Sequence, residues 1–138
     1  MQENQFRNEM VIDFGEEKIL LRPTFENVAA MESDLGGVAY LAFKYGQGID
    51  INTKKVDPIA SAKSLPPISE AAKIIYYNQA EKKFTLEQIF QMCLDVGLKC
   101  SAQAVMFLVR VTAGNKFAKP VSERQKKSSS KKNLVGQE

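Results

Sequence analysis

The sequence predicts an α+β domain, an N-terminal β-hairpin packed on about five short α-helices with a disordered basic tail. Three observations point there. Residues 10–22 alternate side chains about a glycine and stop at a proline. Residues 24–114 place apolar side chains at helical spacing between capping residues and glycines. Beyond Lys116, apolar residues almost disappear.

The hairpin is "EMVIDFGEEKILLRP". Met10, Ile12 and Phe14 alternate with Val11 and Asp13, and Ile19 and Leu21 with Leu20 and Arg22. Gly15-Glu16 suits a two-residue type II′ turn, whose first position needs positive φ. Pro23 cannot donate to a ladder and ends the second strand.

The first helix is expected over residues 25–35, with Thr24 as N-cap and Glu26 in the favourable first turn. Phe25, Val28, Met31 and Leu35 form its stripe, with Glu32 near the middle, and Gly36-Gly37 stop it. A second helix is expected over 38–45, ended by "GQG". Residues 47–66 are polar, proline-marked and aperiodic, and read as a long exposed loop.

The third helix is expected over 68–79, with Ile68, Ala71, Ala72, Ile75 and Tyr76 on one face. The fourth opens on a capping box, Thr85 with Gln88, and a hydrophobic staple, Phe84 with Ile89. Leu86, Ile89, Phe90, Cys93 and Leu94 follow at helical spacing, and Gly97 closes it. The fifth, over 101–113, contains "AVMFLV" and is apolar nearly all round, as befits a helix central to a core or covered by another chain. The expected organisation is a flexible N-terminus (1–8), one domain (9–115) and a disordered basic tail (116–138).

Charge is unevenly spread. Residues 116–138 carry seven Lys or Arg and two Glu, net +5, while the other 115 residues carry 12 basic and 14 acidic groups, net −2. The folded part therefore offers no strong electrostatic footprint for nucleic acid, leaving only nonspecific contacts of the tail. No apolar run approaches the roughly 20 residues that span a membrane, and "MQENQFRNEM" lacks a signal core. The chain has no histidine, which removes the commonest metal ligand and neutral-pH base.

Candidate chemistry is sparse. Glu32 is a lone carboxylate with no second acid at helical spacing on its face. It is expected to pair with a base such as Arg22 or to accept backbone N–H bonds; a partner contact is the second reading. Cys93 and Cys100 fit neither a redox pair nor a zinc pair, and read as reduced thiols in a cytosolic compartment. No phosphate-cradling glycine motif is present. The last two helices, joined through "GLKCS", could form a helix-turn-helix, glycine in the turn being compatible with that motif, but only Lys99, Ser101 and Gln103 could face bases, and an antiparallel helical hairpin inside the core is the expected reading. No catalytic residue, cofactor or metal is expected.

"EKILLRPTFENVAAMESDLGG" resembles the N-terminal signature of a family of small tail proteins of phages and gene transfer agents. There a hairpin strand leads through an "LRPTF"-like segment into a helix with a glutamate and then leucine-glycine. "ISEAAKIIYYNQAEKKFTLEQIFQMCLDVGL" and the apolar helix after it are similar to the family's second half, so the resemblance covers Glu9 to Gly114. Members are described both as tail tube proteins and as tail assembly chaperones, and the order of elements is closer to a chaperone. The resemblance implies a protein without catalytic activity in the host cell cytoplasm. It would hold the tape measure protein soluble, with the tail tube protein as a further partner. The proline-containing insert and the basic tail depart from the family. Partner contact is expected at Met106 and Phe107 on the apolar fifth helix, and at Glu32. A small DNA-binding regulator and a structural component of the virion tail are the alternatives.

Overall fold

The computed structural model describes residues 8–114 except 51 and 54. The expected tail (116–138) and nearly all of the expected flexible N-terminus lie outside the described residues. The elements run β1 (Met10–Asp13), β2 (Lys18–Leu21), α1 (Phe25–Leu35), α2 (Val38–Tyr45), α3 (Pro58–Ser64), α4 (Ile68–Asn78), α5 (Leu86–Val96) and α6 (Leu98–Ala113). This is the predicted α+β layout with one helix more than expected.

β1 and β2 pair antiparallel, Met10 opposite Leu21 and Asp13 opposite Lys18. Gly15 and Glu16 occupy the turn, closed by the Phe14 N–H on the Glu17 carbonyl (2.9 Å). Gly15 lies at φ 93°, where a side chain would be strained. The Asp13 carboxylate accepts the Gly15 N–H (2.8 Å) and pairs with Lys18 (3.1 Å). Ile12, Ile19 and Leu21 face the core.

So small a sheet cannot stand alone. The chain leaving α4 covers the outer edge of β2: the Arg22 N–H donates to Asn78 and the Ala80 N–H to Leu20, at 2.8 and 2.9 Å. The outer side of β1 is met by α6. Gln103 accepts the Asp13 N–H (2.8 Å) and returns its own amide to the Asp13 carbonyl (3.0 Å). Arg110 donates to the Glu9 carbonyl (2.7 Å), and the buried Glu9 carboxylate pairs with Arg22 (2.5 Å).

The core lies about α4 and α6. α4 packs on α1, α5 and α6; α6 also packs on α2 and β1. Ile74, Ile75, Ala104, Phe107 and Leu108 are fully buried there. α1 starts as expected, with Thr24 accepting the Asn27 N–H (3.1 Å), but its buried stripe is rotated. Asn27 and Met31 face inward, and Phe25 is 87 % exposed rather than packed. The Asn27 side-chain amide fixes the rotation by donating to the Arg22 and Gln79 carbonyls (2.8 and 3.4 Å).

Two further expectations are corrected. Residues 47–66 are not one loop. An Ile49–Val56 bridge closes a turn and leads into α3, with Asp57 capping the Ile59 and Ala60 N–H groups and Pro58 in the first turn. Cys93 and Cys100 are not free thiols but a disulfide, with Cα atoms 5.3 Å apart. Gly97 ends α5 and also begins α6, three residues earlier than expected, bending the two by 116° and bringing the two cysteines together. No single helix among the described residues is long and apolar enough to cross a membrane.

Two outcomes follow. Protein purified without reductant and then denatured should show no free thiol. Reduction should lower its unfolding free energy by about 2 kcal/mol in denaturant titration. Secondly, the Gly15 N–H and then Lys18 hold the Asp13 carboxyl at about 2, below its ordinary 3.8. A lowered folded-state value means this contribution is complete above 3.8 and disappears as pH falls through about 2. The Gly15 amide resonance should therefore titrate near pH 2, not near 4.

Candidate partner-binding groove

The local sequence of α2 builds the site. Leu41, Ala42 and Tyr45 face the core, which turns Tyr40 and Phe43 outward; Phe43 is 77 % exposed. Gly46 then ends the helix against α6: a Cβ there would lie 2.4 Å from the Ala42 carbonyl oxygen and 3.3 Å from Val109 Cγ2. Gly48, at φ 91°, lets the backbone of α3 approach, since a Cβ would fall 2.7 Å from the Ser61 nitrogen.

The result is a hollow of about 340 Å³. Ala39, Ala42 and Phe43 form one wall, residues 46–49 the floor, and Val109 and Thr112 of α6 the other wall. None of the lining residues is charged. On the flanking elements Tyr40, Val56 and Ile59 are each more than half exposed. Gln47 is shared with an adjoining hollow of about 260 Å³ lined by Lys44, Tyr45, Lys63, Ser64 and Leu65. There the Tyr45 phenol donates to Glu70; burial, then that carboxylate, pushes its ionisation upward. Ser64 Oγ ties α3 to the Tyr45 carbonyl (2.9 Å).

Other surfaces offer less. A smaller hollow of about 220 Å³ spans β2 and residues 79–84, but its Lys18 and Arg22 are paired with Asp13 and Glu9. A second apolar strip, Phe90, Leu94 and Leu98, follows the α5–α6 corner. Among the described residues no group of three or more Cys, Asp or Glu is placed to hold a metal ion.

The residues expected to meet a partner fall in three environments. Phe107 is fully buried, so the apolar excess of this helix is covered by its own chain and Phe107 is withdrawn as a contact. Met106 is partly exposed, one turn before Val109. Glu32 accepts the Val38 N–H (2.8 Å) and so caps α2. The cap is needed because Gly37, at the N-cap position, has no side chain to offer. Arg22 pairs with Glu9 instead. Phe43 and the Gly46–Ile49 turn were not anticipated; "GQG" reads as a helix stop, and only the approach of α6 makes it a groove floor.

No family model, curated protein or solved structure matches the chain.

Replacing Glu32 with alanine should cost about 1 kcal/mol through loss of the α2 cap, whereas glutamine, which still offers an oxygen, should retain most of it. Urea denaturation of both variants measures the difference.

Proposed function

We propose that this chain is a tail assembly chaperone of a phage or prophage, which binds the tape measure protein and assists tail assembly without catalysis in the host cytoplasm. The observation that carries the reading is the uncharged groove between α2 and α6 with Phe43 exposed on its rim. A concave apolar surface suits the apolar face of a helix, and tape measure proteins are long and helical. The resemblance of residues 9–114 to small phage and gene-transfer-agent tail proteins supplies the partner. The tail tube protein is a second candidate partner.

The described residues offer little to a DNA-reading alternative. Lys99 pairs with Asp13 (3.5 Å), Ser101 donates to the Pro66 carbonyl (3.2 Å) and Gln103 holds the hairpin. Ser101 and Gln103 are thus engaged within the fold, while Lys99 makes only an exposed pair. The Cys93–Cys100 disulfide is fully buried; such bonds are rare in reducing compartments, so it weighs against the cytoplasmic part of this reading.

Phe43→Asp should abolish co-purification of the co-expressed tape measure protein while leaving the circular dichroism spectrum and unfolding midpoint intact. Retention of the partner at wild-type level by the folded variant would remove the groove as its site. Mass spectrometry of purified particles separates the chaperone from a virion component, since the chaperone should be absent from them.

A further inference from the structure

The groove and a second hollow share Gln47 in their linings, and their chemistry differs. The groove lining is uncharged; the hollow is bordered by Lys44 and Lys63. Among the described residues neither lysine makes an ion pair. Lys44 instead stands over the rings of Tyr40 and Tyr45, 5.9 and 5.0 Å from their centroids, with its ammonium on the surface. The carboxylates nearby each accept local hydrogen bonds. Asp57 caps α3, Asp50 accepts the Asn52 and Thr53 N–H groups, and Glu70 accepts the Tyr45 phenol.

We propose that groove and hollow form one docking surface for an amphipathic helix of a partner protein whose apolar stripe is flanked by carboxylates. This rests on the reading of the groove as a partner site, and it adds the chemistry of the bound segment. Phe43 and Val109 bracket the apolar stripe. Side chains on the polar flank then meet Lys44 and Lys63. α2 has eight residues, about 12 Å of helix, so roughly two turns of the partner are read. Apolar burial supplies most of the affinity, while the two ammonium groups select the sign of the flanking charge.

Two synthetic helical peptides test this. They share one leucine-alanine stripe and carry either glutamate or lysine on the flanks. Fluorescence anisotropy with the full chain at low salt should find the glutamate peptide bound about fivefold more tightly, with the difference fading as salt rises. Lys44→Glu with Lys63→Glu should invert the preference, and Phe43→Asp should abolish binding of both while the circular dichroism spectrum is unchanged. Equal affinity for the two peptides, preference for the lysine peptide, or binding of neither overturns the proposal. So does concentration-dependent dimerisation that Phe43→Asp abolishes, since a second copy would then occupy the groove. If the acidic preference holds but the tape measure protein is not retained, the surface stands and the chaperone reading fails. If the tape measure protein is retained without acidic preference, the reverse applies.

Discussion

A two-stranded ribbon with four residues per strand exposes backbone donors and acceptors along both outer edges, and most of this architecture can be understood as the answer to that problem. The chain leaving α4 pairs with β2 through Asn78 and Ala80. Side chains of α6, chiefly Gln103 and Arg110, satisfy β1. Both helices are thereby drawn to the hairpin, and the space between them becomes the core. The Gln79 side chain extends the arrangement by exchanging hydrogen bonds with the Phe84 backbone (3.1 and 3.0 Å), which holds the approach to α5. Polar groups thus set the relative placement of the elements, and apolar burial supplies most of the driving force once they are placed.

The groove follows from the same geometry at one remove. α6 is held by the hairpin segment through Gln103 and Arg110 and also packs on α2. Gly46 permits the backbone to come close to Val109, and Glu32 starts α2 where Gly37 cannot. Residues distant in sequence therefore line one surface.

How much was legible in the sequence depended on whether the signal was local. α1 takes its expected bounds from the Thr24 cap and Gly36, α2 from the glycines at its two ends, and α5 begins where its capping box places it. α3 has only seven residues and no buried side chain, so periodicity could not show it, although Asp57-Pro58 is a helix-start signal. The rotation of α1 that exposes Phe25 depends on carbonyls of Arg22 and Gln79, and the pairing of residues 78–80 with β2 depends on the return of α4. Neither leaves a periodic trace. Phe107 illustrates a further limit: an all-apolar helix needs covering, but its composition does not say whether its own chain provides the cover. Phe43 and Val109 lie in separate helices, and their adjacency exists only in the folded chain.

The closed edges of the ribbon have a consequence for recognition. Among the described residues, Asn78–Ala80 lie along β2, and Gln103 and Arg110 meet Asp13 and Glu9 on the β1 side, so an incoming extended peptide would meet these groups first. Association by that route would require first prising away part of the molecule's own frame. Ligand choice is therefore left to the outward side chains of the helices, which can be altered one residue at a time while the scaffold beneath stays as it is.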